Sequence, residues 1–454
     1  MKFASGLGGL GLSFETWNNV MLGDVVDIIS GGTPKTTITE YWEPEEIDWI
    51  TAKDVSECEN RTIRKTSRRI SKKGLENSSA RILEPLTTVL IARGATTGKV
   101  ALSSEGMAMN QTCYGLQAKE GNDKLFIYYL MLSRYNSFRA IANGSIFETV
   151  IGSGIKSIQL NIPTFPIQQS IGKILGALDD KIELNNAINK NLEEMAQALF
   201  KRWFVDFEFP NENGEPYKSS GGEFEESELG LIPKGWKVVT IGDYCKVRSG
   251  FAFKSSWWQD EGIKVIKIKN IIGNTINLQD TDCVDEEKML KASEFLANPG
   301  DILIAMTGAT VGKIALVPRT NEALLINQRV GKFFLGENPF KKNGFLYCLL
   351  TQKVVFDQIV SVASGSAQPN ISPTGIESIK ILLPDPKTLE YFNEITGSML
   401  KNIVEINYGN KILTQIRDTL LPKLMSGEIR VPAEQDNITN DLPMIAESNL
   451  TYQP

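Results

Sequence analysis

The sequence predicts an α+β protein built as a tandem repeat: two α/β globular domains, each followed by one long helix, with the two helices paired as an antiparallel coiled coil. Three observations carry that expectation. At 454 residues the chain is too long for a single hydrophobic core. It matches itself at an offset near 220, and each half ends in apolar residues spaced by sevens.

The repeat is read in chain order. Trp17, Gly23, Asp24, Ser30 and Gly31 correspond at one spacing to Trp236, Gly242, Asp243, Ser249 and Gly250. Residues 49–55 (WITAKDV) then align with 265–271 (VIKIKNI), both reading as short strands with β-branched residues. The glycine-containing segments Gly94-Ala-Thr-Thr-Gly-Lys99 and Gly308-Ala-Thr-Val-Gly-Lys313 follow, then Asn110-Gln111 against Asn327-Gln328, then residues 155–163 against 376–384. Each half thus runs from a strand-rich domain through a proline-marked exit into a helix. The expected boundaries are 1–165 for the first domain, 166–207 for its helix, 208–232 for an acidic flexible linker, 233–386 for the second domain, 387–429 for its helix and 430–454 for an acidic tail.

In the first helix Ile171, Leu178, Asn185, Leu192 and Leu199 recur every seven residues, with Ile174, Ile188 and Met195 as a neighbouring seam. Phe392, Met399, Ile406, Leu413 and Leu420 repeat the pattern in the second. At about 1.5 Å per residue these are rods of roughly 45 to 50 Å. An apolar stripe on such a rod needs a partner, and the other helix, packed antiparallel, is the simplest one. Two core helices of one large domain are the alternative. Asn185 among leucines fits either a register-setting polar position or a solvated one.

Composition excludes several function classes. The chain contains no histidine, which removes the usual proton shuttle and the commonest metal ligand, and with them Ser-His-Asp, Cys-His and HExxH chemistry. Its five cysteines, Cys58, Cys113, Cys245, Cys283 and Cys348, lie far apart without CxxC spacing and read as free thiols rather than a disulfide or zinc framework. No stretch reaches the length of a membrane span, and residues 1–12 are glycine-rich and only briefly apolar, so a cytoplasmic location is expected. The formal charge of -6 is unevenly placed: residues 206–228 carry eight acids against Lys218, and residues 432–454 add four acids and no base. Without those two segments the remainder carries about +5, compatible with basic faces beside an acidic linker and tail.

Two segments resemble a phosphate loop and fail its requirements. A Walker A motif has four residues between its glycines and Ser or Thr after the lysine; here three residues separate the glycines, and Val100 or Ile314 follows. A tight turn is the simpler reading, with Lys99 and Lys313 as candidates for DNA phosphates. No dinucleotide fingerprint and no amino-methyltransferase tetrapeptide is present. No catalytic residue, metal ligand or cofactor site is expected in the chain.

What remains is a candidate DNA surface. Residues 61–73 hold seven bases and no acid: Arg61, Arg64, Lys65, Arg68, Arg69, Lys72 and Lys73. Such a run can neutralise phosphates, and its arginines can read guanine edges; a solvated basic face is the plain alternative. Lys53 precedes it. In the second half the basic residues differ: Arg248 and Lys254 stand among Phe251, Phe253, Trp257 and Trp258, and Lys267 and Lys269 share one face of a strand. Those aromatics read as packing or as base-stacking platforms. Like frameworks with unlike basic surfaces imply two readers of unlike sequences.

The chain resembles the specificity subunits of type I restriction-modification systems. The resemblance rests on the repeat, on Ile232-Pro-Lys-Gly-Trp-Lys237 opening a domain, on Leu199-Phe-Lys-Arg-Trp-Phe-Val-Asp-Phe207 closing the first helix and on Leu420-Leu-Pro-Lys-Leu-Met-Ser-Gly-Glu-Ile429 closing the second. The first repeat departs from the pattern with Phe14-Glu-Thr-Trp17 where the second has Pro233-Lys-Gly-Trp236. The resemblance implies two target-recognition domains reading a bipartite double-stranded DNA site, and paired helices that set the spacer and dock modification subunits. It also implies a restriction subunit, with S-adenosylmethionine, ATP and magnesium on those partners. A non-catalytic coiled-coil scaffold that binds no DNA, and the specificity subunit of a fused restriction-methylation enzyme, are the competing readings.

Overall fold

The computed structural model describes residues 17–135, 153–363 and 369–432. The glycine-rich start, residues 14–16 of the first repeat's opening and the acidic tail beyond residue 432 lie outside the described residues. The chain forms two compact units: Met1–Glu183 with Leu413–Pro454, and Leu184–Ile412. Each unit holds one globular domain and part of both long helices.

In the first unit a five-stranded sheet runs in the order Val26–Ser30, Cys113–Ala118, Thr88–Ile91, Val100–Ser103, Thr62–Ile63. All four residues of Thr88–Ile91 are buried, as a strand covered on both faces requires. Leu90, Leu102 and Leu116 pack beneath the helix Lys124–Ser133. On the other face Val89, Ile91 and Ala101 meet Ile50 and Val55. A three-stranded sheet, Arg69–Ile70, Ile47–Ile50, Ala108–Met109, forms a second layer. Asn18–Met21 pairs antiparallel with Gln159–Ile162, tying the domain's entry to its exit.

The second unit repeats this plan. Its main sheet is ordered Lys246–Ser249, Val330–Phe334, Ile302–Ala305, Ile314–Leu316, and its smaller one Asp282–Val284, Ile263–Ile266, Leu324–Ile326. Lys237–Thr240 pairs with Lys380–Leu383 as the entry-exit clasp. One difference lies at the sheet edge. Where the first domain adds Thr62–Ile63, the second packs a hairpin, Ile271–Ile272 with Thr275–Ile276, and the Leu316 amide donates to the Asn274 carbonyl.

The long helices are α1 (Phe165–Phe200, 36 residues) and α2 (Pro386–Ser426, 41 residues). In the first unit Ile171 and Leu175 of α1 share a core with Leu421 and Leu424 of α2, and Asp179 pairs with Arg417 at 2.7 Å. In the second unit Asn185 meets Asn410 at 2.6 Å and Asn189 meets Asn407 at 2.8 Å. Rising numbers on one helix meet falling numbers on the other, so the pairing is antiparallel in each unit. The heptad positions face inward: Ile171, Asn185 and Phe392 are buried, and Leu178, Leu192, Leu199, Met399, Ile406, Leu413 and Leu420 are half-buried.

Two expectations are corrected here. The neighbouring seam of Ile174, Ile188 and Met195 is exposed, at 38%, 36% and 54%. The second buried row runs four residues on from the heptad positions instead of three, through Leu175 and Ala196, because that flank lies against the globular domains. Segment 208–232 is acidic but folded rather than a flexible linker. Phe209 stacks on Tyr217 at 4.5 Å and packs on Trp236 at 4.7 Å, and Phe224–Ser227 forms a hairpin with Gly230–Pro233.

The motifs that close the two helices acquire a reason. After the π-helical turn Lys201–Val205, Phe207 adopts φ 60° and its ring meets Trp236 at 5.8 Å. After α2, Gly427 adopts φ 75°, and a Cβ there would stand 3.0 Å from the Trp17 ring. Each helix therefore ends in a left-handed residue seated on the opening tryptophan of a domain, α1 on the second and α2 on the first.

Candidate nucleic-acid interface

In each domain four connections meet at one end of the main sheet, held by the same backbone hydrogen bonds. In the first, the Gly32 amide donates to Met109 (3.0 Å), Asn110 to Ile50 (2.9 Å) and Ala92 to Thr112 (2.9 Å). In the second, Phe251 donates to Ile326 (2.9 Å), Asn327 to Ile266 (3.0 Å) and Met306 to Arg329 (3.0 Å). The glycines of the repeat are explained by this crossing. A Cβ on Gly31 would lie 1.8 Å from the Asn110 carbonyl oxygen, and one on Gly250 would lie 2.2 Å from that of Ile326.

The glycine loops are tight turns, as the failed phosphate-loop match implies. Gly94 and Gly98 in one and Gly308 and Gly312 in the other have positive φ, which a side chain would strain. The amides of Thr97, Gly98 and Lys99 all donate to nearby carbonyls of the same turn, as do those of Val311, Gly312 and Lys313. None of those donors is left to cradle a phosphate.

Most of the basic residues singled out from the sequence are engaged by the protein itself. Arg61 is the clearest correction. It lies against α1, ion-paired to Asp180 and Glu183, and donates to the Gly176 carbonyl at 3.1 Å. Burial works against its charge, but the Tyr129 hydroxyl and the two carboxylates outweigh that and hold its pKa above the ordinary value. Arg61 is thus a clamp between domain and helix, not an available DNA contact. A sequence run of seven bases cannot reveal that one of them turns inward.

Arg68 lies over the Trp42 ring at 4.0 Å. Arg69 donates to the Glu45 and Glu46 carbonyls, while Lys72 pairs with Glu46, Lys73 with Glu40 and Lys53 with Glu57. Lys99 donates to the Ser56 carbonyl at 3.1 Å. Arg64 and Lys65 are exposed and line a shallow cleft of about 330 Å³ that also contains Asp54, Glu57 and Glu59. In the second domain Lys267 pairs with Asp282 at 3.0 Å and lies 3.5 Å from the centre of the Trp258 ring. Lys269 pairs with both Asp280 and Asp282, whose contact raises its pKa. Arg248 lies over Phe334, Lys254 over Trp257, and Lys313 is exposed. The aromatics Phe251, Phe253, Trp257 and Trp258 form one packed cluster with Val265 and Leu325. Phe253 is a buried core side chain of the smaller sheet, and the other three are half-buried against it. Exposed lysine pairs are weak and can exchange a carboxylate for a phosphate.

Residues not singled out from the sequence stand at the loop junction itself. Arg93 and Gln111 in the first domain, and Gln328 and Arg329 in the second, are exposed. The arginine side chains have no hydrogen-bond or ion-pair partner among the described residues. The signal for them was present: both lie at the edges of the best-matched repeat segments, as unlike residues in like positions.

Two copies of one rigid loop frame, each carrying different exposed polar side chains, define a tandem sequence-recognition protein. Residues 14–194 and 233–418 match the family described as the type I restriction modification DNA specificity domain, and the chain belongs to that family. It is 30% identical over 423 residues to the type I restriction enzyme MjaIX specificity subunit of Methanocaldococcus jannaschii, covering 92% of this chain and 94% of that one. It is 27% identical over 360 residues to the HindI specificity subunit of Haemophilus influenzae, covering 67% and 77%. The crystal structure of a type I restriction-modification S subunit from M. genitalium shares the fold, with a TM-score of 0.56 at 17% identity, covering 91% of this chain and 96% of that one.

Proposed function

We propose that this chain reads a bipartite, asymmetric double-stranded DNA target for a type I restriction-modification complex, one half-site per domain, and carries out no catalysis itself. The paired helices set the spacer between half-sites and offer the docking surface for modification subunits, which bring S-adenosylmethionine; the restriction subunit adds ATP and magnesium. The complex works in the cytoplasm, where its DNA is. The observation that carries this reading is the duplicated loop frame: one backbone geometry, two sets of exposed side chains. Two modest readers on one chain gain affinity through effective concentration, so neither must bind tightly alone. A stiff helix pair keeps the spacing sharper than a Gly/Ser linker would.

The test is to co-express the chain with its cognate modification subunit in a methylation-free host and map modified adenines across the genome. A bipartite asymmetric motif that vanishes without this chain is the expected outcome. A stable complex that leaves no motif would replace this reading with that of a protein scaffold.

A further inference from the structure

We propose that each domain discriminates sequence through one arginine at the junction of its glycine loop with its Asn-Gln loop, Arg93 in the first and Arg329 in the second. The inference rests on the DNA-reading function proposed above and goes beyond it in naming the side chains. Backbone hydrogen bonds make the two junctions equivalent: Ala92 donates to Thr112 as Met306 donates to Arg329. By that equivalence Arg93 corresponds to Thr307, and Thr112 corresponds to Arg329. An arginine and a threonine have changed places across one inter-loop hydrogen bond.

The threonines turn into the protein. The Thr112 hydroxyl donates to Asn110 Oδ1 at 2.6 Å, and the Thr307 hydroxyl is buried without a hydrogen-bond partner among the described residues. The arginines do not. Arg93 and Arg329 are exposed and unpartnered among the described residues, whereas Arg61, Arg69, Arg319 and Arg417 are tied to carboxylates. Both stand on loops with several amides bonded within the protein, beside a glycine crossing that leaves no room for a Cβ, so the guanidinium is presented from a preorganised frame. A guanidinium fork in that position matches O6 and N7 of guanine in the major groove. With the guanidinium arising from opposite loops in the two domains, the two half-sites are expected to differ in where the guanine stands. Gln111, whose side-chain oxygen accepts from Thr33, and Gln328 stand at the equivalent position beside them.

The experiment uses the full chain with its modification subunit and compares methylation motifs for Arg93→Ala, Arg329→Ala, and Arg64→Ala with Lys65→Ala as a surface control. The expected result is loss of preference at one G·C position in one half-site for Arg93→Ala, and in the other half-site for Arg329→Ala. Discrimination at that position falls about ten- to hundredfold while the remaining positions persist. The control weakens methylation evenly, as loss of phosphate contacts does. Arg93→Gln and Arg329→Gln retain a polar side chain and shift the preference at the same position toward adenine, which guards against a folding defect being read as loss of recognition. An unchanged motif, an even decline across both halves, or both arginines affecting the same half-site would overturn the proposal. Absence of any motif with the unaltered chain would instead overturn the function on which it rests.

Discussion

Against α1 the first domain grips with a charged donor and the second with neutral ones; the second domain's ion pair, Arg319 with Glu405, falls on α2 instead. In the first, Arg61 is held by Asp180 and Glu183, while Tyr129 and Arg417 both bond the buried Asp179, at 2.6 and 2.7 Å. In the second, Tyr347 and Asn274 donate to Glu193 at 2.6 and 2.7 Å, and Gln352 donates to Gln197 at 2.8 Å. The four strands shared by the two main sheets have the same order, and the loops before them the same hydrogen bonds. Repeated backbone geometry is thus maintained by apolar pattern and glycine placement, while the polar side chains that fasten or read have diverged. The loop caps show it on a smaller scale: Asp54 accepts the Thr51 amide where Asn270 accepts that of Lys267.

The largest effect expected from breaking this comparison is at Asp179. Asp179→Ala leaves the buried Tyr129 hydroxyl without its acceptor and a half-buried Arg417 with only the exposed Asp418, and should cost the first unit about 3 kcal/mol. Hydrogen exchange on the full chain should show early opening around residues 124–133 with the second unit's core unchanged; equal loss in both units would contradict a local clamp. Next is the loop crossing. Gly31→Ala and Gly250→Ala each force a carbonyl aside, at about 1 to 3 kcal/mol, and each should erase preference in its own half-site alone.

A smaller effect of opposite sign is expected at the asparagine contacts of the second unit. Replacing Asn185 and Asn410 together by leucine removes a part-buried polar pair, along with the Asn410 bond to the exposed Asn186, and should raise stability by about 1 kcal/mol, read as a higher denaturant midpoint. A drop would show that the asparagine contact itself stabilises the pairing. The smallest effect concerns acid. Burial pushes the Asp54 carboxyl up, but hydrogen bonds from Thr51 and Ser67 outweigh it and leave its pKa below the usual carboxylate range. A depressed carboxylate contributes stability above its unfolded pKa and loses it as pH falls through the folded one, so below about pH 4 the first domain's loop should loosen. Asn270 cannot titrate, so the Lys267 amide should keep its acceptor where the Thr51 amide loses its own, as amide exchange would show.

Much of this was legible in the sequence, and the misreadings are informative. Trp17 and Trp236 mark the domain openings, Gly31 and Gly250 the loop crossing, and the heptad residues the inward face of each helix. These are readable because backbone sterics and burial act on residue type and spacing alone. Arg61 was read as a DNA contact because its neighbours are basic, yet its partners Asp180 and Glu183 are more than a hundred residues away. Ile174, Ile188 and Met195 have the spacing of a seam, but the domains cover the opposite flank. Segment 208–232 has the acidity of a linker, and only Phe209 on Trp236 reveals that it folds.

By itself, then, the sequence determined the repeat, the order of elements, the heptad faces and the family, all consequences of local periodicity and of glycines at close backbone approaches. Tertiary structure decided which cations are consumed inside the protein and which stand free, which flank of each helix is covered, and which domain each helix end is seated upon. Charge is a property of a residue, but availability is a property of its surroundings: a guanidinium is free to read DNA only where no carboxylate of the same fold has reached it first.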